Sequence, residues 1–419
     1  MKLLNRLHKR LSGDMRRALE TAVAVAERRG VGLYLVGGAV RDLLMDAGHV
    51  DMDLVVEGDA VALADAVGKK LRARVVKHSR FGTASLRAGG VRLDFAGART
   101  ESYIRPGALP SVQPSDLLED LARRDFAINA MALRLAGGRP GELIDPHRGQ
   151  RDVAKRTLRV LHDDSFQDDA TRILRAVRYA GRLRFRLQRR TDALLRRDLS
   201  FLDTVSGVRV RHELERIAVE ERVPEILGRA ESRGVIEATH AALGAGEAQR
   251  RAAAQLRALP VSHRDVALLC ILLSDASPAG VEQAMGRLEV TGRQAAILGA
   301  FVALRGQEPK LMATGLRPSE AAGLLSPRPV EAIEAFVLVA ERRAAEAARR
   351  YLASDRLVRP RLNGDDVQAL GVPEGPQVGS ALASLRAARL DGKTHSREDE
   401  AALVEELLGG RTEAAARRG

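Results

Sequence analysis

The sequence predicts an α/β domain followed by a long, almost entirely helical region. Helical and strand-like segments alternate up to about residue 155, a pattern typical of a sheet covered by helices. From about residue 156 onward, apolar residues recur at the helical spacing almost throughout. Glycine or proline interrupts this second region at several places, including Gly207, Gly234, Pro260, Pro278 and Pro327, where helices are expected to begin or end.

In the α/β region, the apolar spacing predicts each element in turn. A helix is expected over 14–29, because Gly30 follows it and glycine is common just past helix ends. Strands and helices then alternate: strand 33–36, helix 39–46, strand 52–56, helix 59–71, and strand-like runs at 73–77, 82–87 and 91–97. Residues 99–116 are rich in proline, glycine and serine and are predicted to form a loop.

Composition narrows the classes of function. Lysine and arginine number 68 against 55 acidic residues, a formal net charge of +13, which favours a polyanionic partner such as nucleic acid. No segment approaches the roughly 18 apolar residues that span a bilayer, so no membrane partner is expected. Tryptophan is absent and aromatic residues make up 3% of the chain, which disfavours extended base-stacking platforms.

The single cysteine and the N-terminal stretch bear on cellular location. Cys270 lies in the apolar run DVALLCILL and is predicted to be a buried hydrophobic residue. One cysteine excludes disulfides and cysteine metal clusters within one chain. The N-terminal stretch is basic but lacks the apolar core of a signal peptide, so we expect a cytoplasmic protein.

The stretch LYLVGGAVRDLL has the pattern of a phosphate-binding turn. The predicted strand ends at Val36, and the next helix begins at or just after Gly38. Because Gly37 and Gly38 lack side chains, backbone amides at the positive end of the helix could approach a triphosphate. Arg41, on the first turn of that helix, could add a charge-assisted contact.

Three aspartates in two predicted strands suggest a metal site. Asp51 and Asp53 are two residues apart in HVDMDLVV, so a strand places both on one face, about 7 Å apart. Asp94 lies in the alternating run GVRLDFAGAR, in a strand that could pair beside the first. Converging carboxylates could bind two Mg²⁺ ions, which activate an attacking hydroxyl and stabilise a departing pyrophosphate.

Five stretches, in a fixed order, carry a family resemblance. They are LVGGAVRDLL with VDMDLVVEGD, EDLARRDFAINAMAL (119–133), LIDPHRGQRDV (143–153), SFQDDATRILRAVRYAGRLRF (165–185) and RVRHELERI (209–217). Together they resemble the motifs of the class II tRNA nucleotidyltransferases and the related bacterial poly(A) polymerases, in the polymerase-β-like nucleotidyltransferase superfamily. They cover roughly the first 220 residues, and 361–408 looks like the tail element of bacterial members.

The resemblance implies a fold and a domain order. The fold class is an α/β nucleotidyltransferase head with a mixed sheet, followed by all-α neck, body and tail domains. The expected boundaries are a catalytic head at 1–155, a neck with the base-reading motif at 156–225, a body at 226–355 and an RNA-binding tail at 356–419. Arginine-rich helix faces behind the head could contact phosphates and 2′-hydroxyls of an A-form stem.

The resemblance also implies roles for residues of the head. The two aspartates of HVDMDLVV correspond to the metal-binding pair, and Asp94 to the third catalytic carboxylate. In RRDFAINAMAL, Arg123, Arg124 and Asp125 are expected to begin an amphipathic helix, with Asn129 one turn later. Such a face could hold phosphates through arginine and ribose hydroxyls through the aspartate and the asparagine.

In the family, an acid and an arginine read the incoming base, here Asp169 and Arg172. At i and i+3 of a predicted helix they should project side by side, and Asp168, Arg175 and Arg178 complete the expected nucleotide-binding set. A carboxylate accepts from an exocyclic amine, and an arginine donates to the adjacent ring nitrogen. CTP and ATP should therefore be admitted, whereas UTP and GTP present the reversed groups and should be refused.

Two departures from the family pattern are expected to matter. Many relatives have Glu-Asp where this chain has Asp168-Asp169, so Asp168, with its shorter side chain, should hold the template arginine less well. Many relatives also have two glycines where this chain has Arg148-Gly149 after Asp145. Less hinge-like freedom is therefore expected between head and neck.

The expected reaction transfers CMP or AMP from CTP or ATP to the 3′-hydroxyl of tRNA, releasing pyrophosphate, with contacts to the acceptor stem and the 3′ end. Four products stay open: the complete C-C-A, the two C residues only, the terminal A only, or a poly(A) tract. In the family a shortened loop accompanies enzymes that stop after C-C, and 99–116 looks full length, which favours competence to add A. A homodimer is left open.

Two other classes of function are weighed against this one. A catalytically silent RNA-binding or RNA-chaperone protein could use the same scaffold, but the retained carboxylates, glycines and base-reading pair argue against it. A small-molecule nucleotidyltransferase would share the head chemistry. It would not need some 200 helical, arginine-rich residues behind the head.

Overall fold

The computed structural model describes residues 2–47, 51–78, 82–88, 90–102, 105, 107 and 111–416. The chain divides into two compact units: unit 1 is Met1–Glu213 with Glu225–Thr239, and unit 2 is Leu214–Pro224 with His240–Gly419. Unit 1 contains the α/β region and the helices after it, whereas unit 2 is helical. The finer division into head, neck, body and tail stays a prediction.

Unit 1 is built on a mixed sheet. The strands in chain order are β1 (Gly32–Val36), β2 (Asp53–Glu57), β3 (Arg74–His78), β4 (Thr83–Ala88), β5 (Val91–Gly97), β6 (Arg99–Ser102), β7 (Ser111–Pro114), β8 (Ala132–Ala136), β9 (Leu143–Ile144), β10 (Thr157–Leu158) and β11 (Arg186–Leu187). Seven of them form one sheet in the order β3-β4-β5-β2-β1-β8-β9. β2 and β5 are parallel and the other neighbours are antiparallel, so the predicted mixed sheet is confirmed.

Helices cover the sheet and continue beyond it. The first twelve helices lie wholly or mostly in unit 1. They are α1 (Lys2–Arg10), α2 (Gly13–Arg29), α3 (Gly38–Leu44), α4 (Ala60–Leu71), α5 (Leu117–Ala122), α6 (Gly149–Ala154), α7 (Ser165–Asp168), α8 (Thr171–Arg182), α9 (Arg189–Arg197), α10 (Gly207–Ala218), α11 (Val223–Glu231) and α12 (Val235–Thr239). The Ser12 hydroxyl caps the start of α2, and Gly30 ends it with φ 64°. The predicted helix end at Gly30 is confirmed.

The strand period of two places the core on both faces of the sheet. Leu33 and Leu35 of β1 lie in the large apolar core that α2 and α4 complete. Tyr34 and Val36 point the other way, into a smaller core with Leu117 of α5. Burial on both faces fixes the register of β1, and so the position of the glycines that follow it.

Unit 2 is a helical assembly. Its remaining helices are α13 (Glu247–Ala253), α14 (Arg264–Leu272), α15 (Pro278–Arg287), α16 (Gly292–Leu311), α17 (Pro318–Leu325), α18 (Val330–Val339), α19 (Arg342–Ala353), α20 (Gly364–Ala369), α21 (Pro376–Leu390) and α22 (Arg397–Ala416). Cys270 on α14 is fully buried, as predicted, and burial raises the pKa of its thiol. No helix in the described ranges has the length and apolar character to cross a bilayer.

The predicted loop 99–116 is partly wrong. β6 and β7 pair antiparallel from Arg99 opposite Pro114 to Ser102 opposite Ser111, so both ends of the stretch form a β-ribbon. Proline at a strand end is compatible with this pairing because it needs no ladder amide there. Most of the connecting residues, 103, 104, 106 and 108–110, lie outside the described residues.

Candidate active site

The glycine turn lies where the sequence predicts it. β1 ends at Val36, and α3 begins at Gly38 with Gly37 as its N-terminal cap. Gly37 has φ 69°, a conformation that L side chains rarely adopt. A Cβ atom there would lie 2.8 Å from Nη1 of Arg124, so glycine leaves room for this arginine to approach the turn.

Asp53 and Asp94 lie on neighbouring strands. Asp53 is the first residue of β2, and its partner across the parallel pair is Asp94 of β5. Asp51 precedes the strand and is exposed. Asp53 is exposed as well, but the protein around its carboxylate still removes part of its hydration. This desolvation and the charges of Asp94 and Asp51 raise the pKa of Asp53, and Arg124 and Arg92 offset the rise only in part. The predicted carboxylates therefore concentrate negative charge in one place.

The three aspartates line a cavity of about 410 Å³, the carboxylate cavity, together with Met15, Met52, Gly90 and Arg92. Their carboxylate oxygens fit Mg²⁺ by chemistry, and the structure brings all three to one cavity; that they hold metal ions stays a prediction. The Asp94 carboxylate accepts a hydrogen bond from the Ser85 hydroxyl and forms an ion pair with Arg92 at 2.8 Å. In the described part of the chain, no group of three metal-binding side chains is placed to hold an ion.

A second cavity, of about 340 Å³, shares Asp53 with the first and is mostly polar. We call it the central cavity. Its lining residues are Gly37, Gly38, Asp53, Glu101, Arg123, Arg124, Asp125, Asn129, Asp169, Arg172, Arg175 and Tyr179. All but Glu101 and Tyr179 are predicted site residues. The structure thus brings most of the predicted set together, whereas Arg41, Asp168 and Arg178 do not line the cavity.

The predicted helix at RRDFAINAMAL is wrong. α5 ends before this stretch, Arg123 is its C-terminal cap, and Ala127–Asn129 form a single 3₁₀ turn. The chain then enters β8, between β1 and β9. Residues 125–133 are all buried. Because every side of such a short run is buried, its apolar residues do not alternate with polar ones, and the sequence pattern cannot distinguish a strand from a helix.

Asp120 fixes the two arginines of this segment. It is fully buried on α5 and accepts hydrogen bonds from Nε of Arg123 at 3.1 Å and Nη2 of Arg124 at 2.9 Å. Burial would raise the pKa of Asp120, but the two arginines outweigh it and hold the pKa below its usual value. Sequence reasoning missed this residue, although its spacing of three and four from the arginines on a helix was a usable signal.

Asp125 and Asn129 are oriented by a hydrogen-bond chain. Asp125 accepts from the Asn129 amide at 3.0 Å and from Nε of Arg175 at 2.9 Å. These contacts overcome the effect of burial and lower the pKa of Asp125. Arg41, 3% exposed, donates to the Asn129 side chain at 2.7 Å. Arg41 therefore contacts a residue of the central cavity from outside its lining, and its contact with a ligand stays a prediction.

The base-reading pair lies in the central cavity, but not as predicted. Asp169 has φ −143° and lies just before α8, whose N-terminal cap is Ala170. Its carboxylate accepts from the amide and hydroxyl of Thr171 at 3.0 and 2.7 Å. Arg209 binds the same carboxylate at 2.8 Å. Arg172, on α8, donates to Ser165 Oγ at 2.8 Å. Both side chains are fixed by contacts that sequence spacing does not reveal.

The remaining predicted residues of this stretch serve other contacts. Asp168 lies 3.4 Å from His162, and the described contacts of Arg172 do not include it. Arg178 is 6% exposed and pairs with Glu213 at 3.2 Å. Tyr179, which sequence reasoning missed, follows Arg172 and Arg175 at helical spacing and has the Arg175 guanidinium 5.5 Å from its ring centroid.

The Asp145 turn is held in place despite its missing glycine. Arg148 takes φ 59°, a left-handed conformation that glycine adopts without strain. Asp145 accepts from the amides of Gly149 and Gln150 at 2.6 and 2.9 Å. A Cβ at Gly149 would lie 2.1 Å from the carbonyl oxygen of Ala127, so the retained glycine is required for close packing.

Comparisons with known proteins agree with this geometry. The model of the poly A polymerase head domain matches residues 33–159. An A-adding tRNA nucleotidyltransferase of Halalkalibacterium halodurans is 40% identical over 218 residues, which are 51% of this chain and 51% of that protein. The chain spans about half the length, or less, of the first curated relatives it matches.

Other similarities extend over nearly the whole chain. The Thermotoga maritima CCA-adding enzyme complexed with tRNA matches with a TM-score of 0.79 at 28% identity, over 97% of this chain and 98% of that one. Complexes of CCA-adding enzyme with ATP and with CTP match with TM-scores of 0.81 and 0.80, at the same identity and coverage. A CC-adding tRNA nucleotidyltransferase of Deinococcus radiodurans is 32% identical over 390 residues, 90% of each chain. The protein belongs to the tRNA nucleotidyltransferase family and carries its poly(A) polymerase-type head domain.

Proposed function

We propose that this protein transfers CMP and AMP from CTP and ATP to the 3′ end of tRNA, completing or repairing C-C-A and releasing pyrophosphate. One observation carries the proposal. A single cavity collects the glycine turn, two arginines for phosphates, an Asp–Asn pair for ribose and the base-reading pair, and it shares Asp53 with the carboxylate cavity.

The residues divide the chemistry between the two cavities. Arg123 and Arg124, fixed by Asp120, are placed to bind the triphosphate. Asp125 and Asn129 are placed to bind ribose hydroxyls. Asp51, Asp53 and Asp94 would hold two Mg²⁺ ions, which when bound would activate the attacking 3′-hydroxyl and neutralise charge on the departing pyrophosphate.

Base choice follows from the contacts of Asp169 and Arg172. The Oδ1 atom of Asp169 is occupied by Thr171 and Arg209, so Oδ2 is the oxygen proposed to accept from an exocyclic amine. Nη2 of Arg172 donates once, to the carbonyl of Arg123, and keeps a second hydrogen for a ring nitrogen. Cytosine and adenine satisfy both groups. Uracil and guanine would place a carbonyl oxygen against the Asp169 carboxylate and an N–H group against the Arg172 guanidinium.

The partner proposed for the rest of the chain is the tRNA acceptor stem. The net charge of +13 suits a polyanion, and α19 of unit 2 shows how the charge is presented. Its alanines Ala344 and Ala348 are fully buried, whereas Arg343 and Arg349 are exposed. The proposed division into catalytic head, base-reading neck, body and RNA-binding tail follows from the same resemblance.

A second candidate is addition of the terminal A alone. The first curated relatives are A-adding tRNA nucleotidyltransferases, and the central cavity accommodates adenine by the same two contacts as cytosine. Such an enzyme would act only on tRNA that already ends in C-C.

The test uses three tRNA transcripts, ending before C-C-A, after C and after C-C. The purified protein is incubated with Mg²⁺ and each NTP singly and in pairs, and products are resolved at single-nucleotide length. Growth of the shortest transcript by three residues with CTP and ATP, followed by arrest, is expected. Growth of only the C-C-ended transcript by one A would select the second candidate. A long ladder in ATP would mean poly(A) synthesis, and absence of growth in every lane would defeat the enzymatic proposal.

A further inference from the structure

Unit 1 contains another cavity, of about 470 Å³, that shares no residue with the central or the carboxylate cavity. We call it the basic cavity. The short parallel pair β10–β11 and the helices α9 and α11, with the turn after α11, contribute its residues. They are Thr157, Arg186, Leu187, Gln188, Arg189, Asp192, Arg229 and Arg233. Four arginines face one aspartate, so the cavity carries a large positive excess.

The one carboxylate of the cavity is already engaged. Asp192 accepts from Nε of Arg233 at 2.6 Å and from Nε of Arg196 at 3.3 Å. Arg233 also donates to the Arg229 carbonyl at 3.1 Å, and its side chain is 18% exposed. Arg233 is therefore fixed in place, and Asp192 has little charge left to neutralise Arg186 and Arg189.

Arg186 and Arg189 supply the unneutralised charge. Both are exposed, and among the described residues neither guanidinium has a hydrogen bond or an ion pair. The Arg186 amide donates to the carbonyl of Arg156 at 3.0 Å, and Arg156 and Arg184 are exposed as well. The cavity therefore presents the guanidinium groups of Arg186 and Arg189 to solvent beside an anchored Arg233.

We propose that the basic cavity binds phosphate groups of the RNA backbone, at a place separate from nucleotide addition. Guanidinium forks match phosphate oxygens, and the lining contains no aromatic ring on which a base could stack. Recognition would thus be of the backbone and not of sequence. This inference rests on the proposed function, because it supplies a further contact for the same RNA substrate.

The test compares two double variants with the same change of charge. Arg186→Ala with Arg189→Ala removes the unpaired arginines of the cavity. Arg28→Ala with Arg29→Ala removes two exposed arginines of α2, which line none of the three cavities. Affinity for a tRNA transcript is measured by filter binding at several salt concentrations, together with the KM for ATP. A tripolyphosphate binding assay runs in parallel, and thermal melting confirms that each variant is folded.

The cavity variant should bind tRNA about tenfold more weakly, with a log–log salt slope reduced by about 1–2. Its KM for ATP should be unchanged, and the α2 variant should match the wild type. Replacing the same two arginines by lysine should restore most of the affinity, because the charge is retained.

Equal loss in both double variants would overturn the proposal, since it would reflect net charge alone. Unchanged tRNA affinity in the cavity variant would overturn it as well. Loss confined to tripolyphosphate binding would assign the cavity to a free oligophosphate instead. These results differ from failure of the proposed function, in which the wild type itself would neither bind nor extend tRNA.

Discussion

At the residue scale, each group proposed to touch the nucleotide is held by a second residue behind it. Asp120 fixes Arg123 and Arg124, whereas Arg209 fixes Asp169. A contact made by a rigid side chain loses little conformational entropy when the ligand binds. Selection between bases should therefore depend on these supporting residues as well as on the residues in contact.

Arg209 should be a positioning residue for base choice. Arg209→Met removes the guanidinium that binds the Asp169 carboxylate at 2.8 Å, leaving only Thr171 to orient it. We expect kcat/KM for CTP and ATP to fall roughly tenfold, and their ratio to UTP and GTP to fall with it. Steady-state kinetics with all four nucleotides tests this.

Arg209→Lys is the matched variant for that test and should recover part of the selectivity. A purely structural role would instead lower the melting temperature and leave the ratio between nucleotides unchanged, which would contradict the prediction.

Residue-scale prediction from sequence succeeded where local chemistry decides. The glycine turn and the carboxylates were found because a strand period and a strand-to-helix turn are local patterns. The strand of Asp94 was expected to be able to pair beside the strand of Asp53, and the two residues are partners. The contact of Arg209 with Asp169 joins residues about 40 positions apart, depends on tertiary packing and leaves no signal in one sequence.

At the scale of elements, the site is assembled from the ends of strands and helices. α5 ends at Ala122, α3 begins at Gly38 and β2 begins at Asp53. The predicted boundaries in the α/β region lie close to the observed ones up to β5, because each element there has a clear period or cap. Prediction failed at β8 and the β6–β7 ribbon, where a buried run and a proline-rich stretch concealed strands.

Gly37 should not tolerate a side chain. Gly37→Ala places a Cβ 2.8 Å from Arg124 Nη1 at a backbone with φ 69°, a conformation that costs of order 1–3 kcal/mol outside glycine. We expect a raised KM for nucleotide and a lower melting temperature, measured by steady-state kinetics and calorimetry. Gly299→Ala is the control: it lies inside α16 with open space around it and should be neutral or stabilising. Wild-type KM in Gly37→Ala would refute the prediction.

Asp120 should stabilise unit 1 in a pH-dependent way. Its folded-state pKa lies below its usual value, so its contribution is fully present above the ordinary carboxyl pKa and is lost as pH falls through the lowered one. Asp120→Asn should reduce the free energy of unfolding by about 3 kcal/mol at neutral pH. Denaturant unfolding at a series of pH values measures the difference, which should shrink in acid.

The control for that series is Asp14→Asn. Asp14 forms an exposed pair with Arg17 on α2, and exposed pairs contribute about 0–1 kcal/mol. A pH-independent loss in Asp120→Asn, or an equal loss in both variants, would argue against the predicted linkage.

At the scale of the whole molecule, unit 1 contains the two cavities of the proposed reaction, and unit 2 contains helices such as α19 that combine buried alanines with exposed arginines. The fold class could be predicted because long segments reveal it: strand-like and helical patterns alternate in the first part of the chain, and only the helical spacing continues in the rest. The four-domain division is finer than the two units observed.

Incorporation of each of the four labelled nucleotides into a transcript lacking C-C-A and a transcript ending in C-C tests the proposed reaction directly. We predict that CTP extends the first transcript and ATP the second. UTP and GTP should be at least about a hundredfold slower, and Asp53→Ala should abolish all incorporation, since Asp53 lines both cavities. Comparable rates for all four nucleotides, or wild-type incorporation by Asp53→Ala, would contradict it.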